Sequence, residues 1–468
     1  MPHPLFSPEI RLMLEEQNAA GLREFCESLH PASMAEALDD DFTPDQVWEV
    51  ISHADIRTQA AIFEYLPPSR QAEMVEKARP QVGQLLGKMS HDDRVDLHRR
   101  LPADVAERLM RLLDEADRKD IATLVSYGEN TVGAKMTTDY AWLPGTLSAA
   151  EAIDQLRQQA PDRETIYYIY VLDEARRRAD GSLAPRRLLG VVSLRDLILA
   201  PRHALIRDLM ESEVITVRFD EDREELTRVF TRFDLIAVPV VDDQFGLLGI
   251  VTHDDVLDVV QQEATEDLQR QGAVGPFEGN YLDAKFSRVW WSRVQWLAVL
   301  FALQMFTINA MSTFESELEQ VAFLTVFIPL CLSVGGNSGS QAATLVIRAL
   351  ALEQVRLRDW FLVLRRELLM AASLALFLGI LSIIRTYFLT PGSVLAKIPE
   401  EHFWYLNWVV TFSVMGICMT GAIIGAMLPL AIKWLRFDPA LMSAPFIATL
   451  SDVLGIMIFF NVVKAFFF

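Results

Sequence analysis

The chain has 468 residues, 51% of them hydrophobic, with a formal net charge of −20 and a mean hydropathy of +0.20. So large an acidic excess makes nucleic acid a poor partner and cations a good one, because a polyanion repels phosphate and gathers counter-ions. Cys26, Cys331 and Cys418 are too scattered for a disulfide framework or a zinc motif. Charge and hydropathy divide the chain near Phe286. Of 63 acidic and 43 basic side chains, 10 and 12 fall from Phe286 onward, leaving 53 against 31 before it. An acidic soluble half therefore precedes an apolar one, and the first 20 residues lack the continuous apolar core of a signal peptide.

Residues 1–134 predict short helices broken at Leu66-Pro67-Pro68 and Leu101-Pro102, with apolar residues at helical spacing such as Val105, Leu109, Leu112 and Leu113. A small helical superhelix is expected. An internal repeat follows over 135–260. Leu188-Leu-Gly-Val-Val-Ser-Leu-Arg-Asp-Leu-Ile198 aligns with Leu247-Leu-Gly-Ile-Val-Thr-His-Asp-Asp-Val-Leu257, each after a β-rich run, Ile166–Leu172 and Ala237–Val241. Strand, turn, strand and Asp-bearing helix start resemble a pair of CBS domains, a module that usually dimerises and often binds adenine nucleotides. Tyr168, Arg195 and Asp196 match positions that this resemblance implies in ATP binding, although Asp196 could equally serve to cap its helix.

From Asp254 the sequence is helical and acidic. Asp255, Asp258 and Glu266 are helical neighbours, and Glu263 and Asp267 form an i, i+4 like-charge pair that costs a few tenths of a kcal/mol. Residues 261–288 then connect to five segments long enough to span about 30 Å of hydrocarbon, near Val294–Thr313, Val321–Ala343, Leu362–Phe388, Trp404–Leu435 and Ala440–Phe467. Trp290, Trp291, Trp296, Trp404, Tyr405 and Trp408 lie at their ends as interfacial anchors. Arg348, Arg356, Arg358, Arg365 and Arg366 lie between the second and third segments and Lys433 and Arg436 between the fourth and fifth, while 314–320 has no Lys or Arg. The positive-inside rule places the N-terminus in the cytoplasm and the C-terminus outside a plasma (inner) membrane.

Two features of the apolar half carry chemistry. Pro329-Leu-Cys-Leu-Ser-Val-Gly-Gly-Asn-Ser-Gly-Ser-Gln341 interrupts an apolar run with glycines and amides, which reads as irregular backbone forming a pore or binding-site element, with a glycine hinge for tight helix packing as the lesser alternative. Asp452 is expected about twelve residues, or roughly 18 Å, into the last span. An ionisable group at that depth costs several kcal/mol unless it meets water, a partner or an ion. Either it lines a pore or it is neutral.

The Pro…Gly-Gly-Asn-x-Gly-x-Gln signature, Phe314-Glu-Ser-Glu-Leu-Glu319, Asp438-Pro-Ala-Leu441 and Ala448-Thr-Leu-Ser-Asp-Val-Leu-Gly455 together resemble the MgtE family of magnesium channels. The resemblance covers nearly the whole chain. It implies a multidomain helical membrane protein, with a cytosolic superhelix, an α/β CBS pair, a plug helix and a five-helix membrane domain, assembled as a homodimer in lipid. It implies Asp452 as the acidic residue of the conduction path, with Ala448 offering a backbone carbonyl to a coordinated water and Asn337 shaping the vestibule. It also implies regulatory magnesium at Asp222, Glu224 and Asp234, at Asp255, Asp258, Glu263, Glu266 and Asp267, at Asp438, and at Asp92 and Asp96. Family members often carry a polar residue before the proline of the fifth span, where this chain has Ala444.

Magnesium sheds water reluctantly, so a hydrated ion held by carboxylate and carbonyl oxygens needs few protein ligands. The expected function is a magnesium-selective influx channel closed by intracellular magnesium, with ATP as a further ligand of the CBS pair. An ion-coupled carrier of magnesium, cobalt or nickel is the alternative; it predicts more buried charge than Asp452, Arg385 and Lys464 provide. A CBS-regulated membrane enzyme lacks a nucleophile, metal triad or phosphate loop.

Overall fold

The computed structural model describes residues 6–39, 41–76, 80–174, 184–277, 281–282, 284–315, 319, 322–388 and 403–468. The loop motif expected at 314–319 lies largely outside the described residues. The chain divides into two compact units, Met1–Gln262 and Glu263–Phe468.

The first unit opens with short helices: α1 (Ser7–Glu15), α2 (Ala19–Ser28), α3 (Pro31–Asp39), α4 (Pro44–Ile51), α5 (Ile56–Glu64), α6 (Pro68–Glu76), α7 (Pro80–Leu86), α8 (His91–Arg100), α9 (Ala103–Met110) and α10 (Glu115–Val125). Local chemistry starts them where propensity alone would not. Thr43 and Gln46 form a reciprocal capping box at α4, Asp55 accepts from the Arg57 and Thr58 amides at α5, and Asp114 accepts from Asp117 N at α10. Helix α2 packs on α4, α4 on α6, α6 on α8, α3 on α5 and α5 on α7, which is the expected superhelix. Its core buries Ile10, Leu22, Met34, Ile51, Ile62, Phe63, Met74 and Leu85, side chains of a size whose removal from water contributes about 1.5–3 kcal/mol each.

Two three-stranded sheets follow, built from β1 (Tyr140–Pro144), β2 (Thr165–Leu172) and β3 (Leu188–Ser193), then β4 (Val217–Arg218), β5 (Ala237–Val241) and β6 (Leu247–Thr252). In each the first pair is parallel and the second antiparallel, so the sequence repeat is a structural repeat. Tyr170, Leu172 and Leu188 of one sheet share a core with Ala237, Val241, Leu247 and Ile250 of the other. Between the strands lie α11 (Ala149–Gln159), α12 (Leu194–Leu199), α13 (Ile206–Leu209) and α14 (Glu224–Phe233). The last helix to begin here, α15 (His253–Gln271), starts directly after β6 and runs unbroken past the boundary expected at 260.

The second unit holds five helices long and apolar enough to cross a membrane: α16 (Phe286–Ser312), α17 (Ile328–Ala351), α18 (Trp360–Phe388), α19 (Phe403–Trp434) and α20 (Ala444–Phe467). The chain is a multi-pass membrane protein. The glycine-rich motif corrects one expectation, because Ile328–Ala351 is helical throughout and no irregular backbone occurs at Gly335-Gly336-Asn337. Its glycines serve packing instead. A Cβ on Gly421 would overlap the Gly335 carbonyl and a Cβ on Gly425 the Gly339 carbonyl, so α17 and α19 touch backbone to backbone. Ser338 Oγ donates to Cys418 O at 3.1 Å in the same seam.

Gly425→Ala is therefore expected to force the two helices apart and to destabilise the membrane unit by at least the ~1–3 kcal/mol usual for overpacking. Denaturant titration of the purified protein in detergent would measure it, and an unchanged midpoint would show that this contact is not tight.

Candidate ion-path and sensing sites

Helix α20 begins at Ser443, whose hydroxyl accepts from Phe446 N at 3.3 Å, with Pro445 in its first turn. The span thus starts at Ala444 rather than Ala440, and Asp452 lies about 12 Å along it at 1.5 Å per residue. On this helix, which packs against α16, the Asp452 side chain is half-buried. Ala448 stands one turn before it and packs on Gly336 of α17, while Ser340 Oγ donates to Ala444 O at 3.3 Å. Asn337 is exposed beside Gly336, and its Nδ2 donates to Ser333 Oγ at 3.4 Å. Asp452 and Ala448 thus share one helix, and Asn337 lies on the helix packed against it.

In the first unit, two expected residues far apart in sequence meet. Asp92, in the first turn of α8, hydrogen-bonds Asp255, in the first turn of α15. Two carboxyls can do so only if a proton lies between them. Burial, then the Asp255 charge, pushes Asp92 well above the usual carboxylate range. Burial pushes Asp255 up to about 6 against the Thr252 hydroxyl, which donates to its Oδ2 at 2.6 Å. Two residues that sequence reasoning missed join the group. Asp93 is pushed up to about 7 by burial and by Asp92, and Glu64, at the end of α5, to about 7 by burial and by Asp93. Glu64 Oε1 accepts from Ser90 N at 2.8 Å, which ties α5 to the start of α8.

His91, beside Asp92, was also missed. Its Nδ1 lies 3.0 Å from Asp120 and its Nε2 3.1 Å from Asp139, so the imidazole joins α8 to α10 and to the segment before β1. Asp96, by contrast, is already matched, 2.9 Å from Lys135 Nζ and 3.7 Å from Arg100. Asp258 lies one turn beyond Asp255 in the field of that same Lys135.

The second CBS copy does not gather its three expected ligands. Asp222 accepts from Glu224 N at 3.0 Å at the start of α14, whereas Asp234 sits past its end in the left-handed region at φ 50°. About 15 Å of helix separates them. At the nucleotide candidates, register sets Tyr168 opposite Ser193, whose hydroxyl donates to Asp196 Oδ2 at 2.6 Å and accepts from Asp196 N at 3.0 Å. Tyr168, Arg195 and Asp196 are thus at one corner, and Asp196 does complete a helix cap.

In the second unit, Arg270 donates to both Glu266 and Asp438, bringing the end of α15 to the loop before α20. Asp267 is pushed up by burial and by Asp438 and Glu263. Among the described residues no three His, Cys, Asp or Glu side chains are arranged to hold a metal outright. What the structure offers is carboxylate pairs short of positive charge.

Profiles of three families match the chain: a divalent cation transporter family, MgtE, over residues 328–462, the MgtE intracellular N domain over 29–130, and the CBS domain over 206–262. The magnesium transporter MgtE of Thermus thermophilus is 37% identical over 456 residues, 96% of either chain. The chain belongs to the MgtE family. The Bacillus subtilis magnesium transporter MgtE is 31% identical over 81% of this chain and 79% of its own. A crystal structure of the soluble part of a magnesium transporter, 29% identical, covers 55% of this chain and 98% of its own with a TM-score of 0.51. The CBS profile covers the second repeat, and the first shows the same strand order.

Carboxyls whose pKa is raised on folding contribute most below the unfolded value near 4 and lose that contribution as pH passes the folded one. With Asp255 near 6 and Asp93 and Glu64 near 7, the metal-free soluble half of this MgtE protein is expected to loosen between about pH 5 and pH 8. Millimolar magnesium should suppress the loosening. Limited proteolysis across that pH range, with and without magnesium, would measure it; identical digestion rates at both ends in chelator would count against the acid cluster.

Proposed function

We propose that this MgtE protein is a homodimeric, magnesium-selective influx channel whose cytosolic half closes the path when intracellular magnesium is plentiful. The observation that carries the ion path is Asp452, a half-buried carboxylate that is the one acidic residue of its helix, in a family described as divalent cation transporters. A charge retained at that position is best explained by the cation it attracts. The basic loops after α17 and α19 support a topology with the soluble half and the N-terminus in the cytoplasm and the C-terminus outside a plasma (inner) membrane. A negative-inside potential then contributes ~2.3 kcal/mol per charge per 100 mV, doubled for a divalent ion, so influx needs no chemical fuel.

Closure follows from electrostatics. Two carboxylates about 6 Å apart repel by about 3 kcal/mol at an effective dielectric of 20. Without cations the Asp92, Asp93, Asp255 and Glu64 group favours separation of α8 from α15, and a divalent ion reverses that preference. The Glu266, Asp267 and Asp438 group, with one guanidinium among the three carboxyls, supplies a second such place. The corner formed by Tyr168, Arg195 and Asp196 supports adenine-nucleotide binding, with ATP as the proposed ligand.

Asp452→Asn separates charge from shape and is expected to reduce magnesium flux into liposomes at least tenfold with normal expression and assembly. Flux equal to the parent's would refute the pore role. Asp92→Asn combined with Asp255→Asn removes both the repulsion and the ligands, and should raise the half-inhibitory cytosolic magnesium concentration severalfold in patch recordings while leaving the open-channel current intact. An unchanged inhibition curve would place the sensor elsewhere.

A further inference from the structure

His91 opens α8 directly before Asp92, its side chain is 13% exposed, and it meets a carboxylate at each ring nitrogen, Asp120 at 3.0 Å and Asp139 at 3.1 Å. The two carboxylates belong to different parts of the fold. Asp120 lies on α10, which packs on α8 within the superhelix, so the Nδ1 contact stays inside that body and aims the ring. Asp139 lies across the junction. It stands two residues after Thr137, which exchanges both backbone hydrogen bonds with Ile250 of β6 at 2.8 and 2.9 Å, and β6 runs straight into α15 and Asp255. The Asp139 carbonyl accepts from Glu164 N at 2.9 Å and its carboxylate lies 3.5 Å from Arg163, so the residues before β2 fix it as well. Thr138 reinforces the joint, donating to Asp120 Oδ2 at 3.1 Å and touching His91 Nδ1.

We propose that His91 is a positioning residue that sets how much magnesium closes the cytosolic half, its Nε2 contact with Asp139 holding Asp92 against the scaffold of Asp255 without metal. The inference rests on the reading of Asp92 and Asp255 as a magnesium-responsive pair and names the residue that opposes their repulsion. Only contacts that differ between two arrangements shift the balance between them. The His91–Asp120 contact travels with the superhelix and is the same in both. The His91–Asp139 contact breaks when α8 leaves α15, so it favours the closed arrangement whether or not the ion is bound. The acidic pair pulls the other way until a cation binds. The magnesium required is then set by the difference between the two, and a stronger latch lowers it. The side chain suits the task, because an imidazole carries a polar nitrogen on either side of a rigid ring and can bridge two elements.

Limited proteolysis of the full-length protein at fixed pH tests this, with magnesium alone as the titrated probe and the half-protecting concentration as the readout. His91→Ala is expected to raise that concentration about tenfold, the loss of one hydrogen bond at the upper end of its usual worth. Asp139→Ala should give a similar rise, and the double variant no more than the larger single one, since both changes remove the same contact. A side chain that merely stabilises the fold would give additive shifts. His91→Gln keeps a polar group within reach of one acceptor and should give a smaller rise, and it carries the test if the alanine variant does not fold. A half-protecting concentration within twofold of the parent in the folded His91 variants, or additive shifts in the double variant, overturns the latch. Asp92→Asn with Asp255→Asn separates the two readings. If that variant loses magnesium protection while the His91 variants keep the parent's value, the latch alone falls; if it is protected like the parent, the reading of the acidic pair falls and takes the latch with it.

Discussion

Two ionised carboxylates cannot share a weakly hydrated site unless a proton or a cation lies between them, and the acidic half of this protein is arranged around that constraint. Asp92 and Asp255 are hydrogen-bonded to each other, so a proton occupies the place in which a divalent ion would bind both. Asp93 and Glu64, close behind, raise the local cost without supplying a counter-charge. The superhelix and the second copy of the α/β repeat share one apolar core that runs from Ile10 to Val256. Their junction at α8 and α15 is where stability is left dependent on solution conditions.

Fixed cations mark where that dependence stops. Lys135 neutralises Asp96, and Arg94, only 4% exposed, holds Asp117 at 2.8 Å, so these acids behave as structural pairs. Arg270 between Glu266 and Asp438 is a third built-in cation, and it explains why those two expected ligands come together without metal. Asp267 remains raised beside them. One tethered guanidinium therefore satisfies part of this group and leaves the rest short of charge.

Much of the architecture was legible because it is written in local patterns. The five spans, the strand runs of both repeats and the helical punctuation of residues 1–134 all follow from hydropathy and turn residues within a window of about twenty positions. The Gly-Gly-Asn motif was legible as special but not in form, since glycines that break a helix and glycines that seat one helix on another have the same composition. The carbonyls of Gly335 and Gly339 against Gly421 and Gly425 decide for packing. Glu64, His91 and Arg270 were missed for a different reason. Each acquires its role from a partner more than twenty residues away, and nothing beside it in the chain distinguishes it from an ordinary surface residue.

The number of acidic places also has an energetic reason under the gating proposed above. Shifting a two-state equilibrium from 1:99 to 99:1 takes about 5.5 kcal/mol of differential binding, and relieving one carboxylate pair at about 6 Å supplies about 3 kcal/mol of it. Further pairs supply the rest with margin. Helix α15 carries Asp255 near one end and Glu266 and Asp267 near the other. Ions bound at both ends would act on the same helix, so their contributions would add. A response built from several weak magnesium sites is steeper than any one of them, and it needs no site that binds tightly.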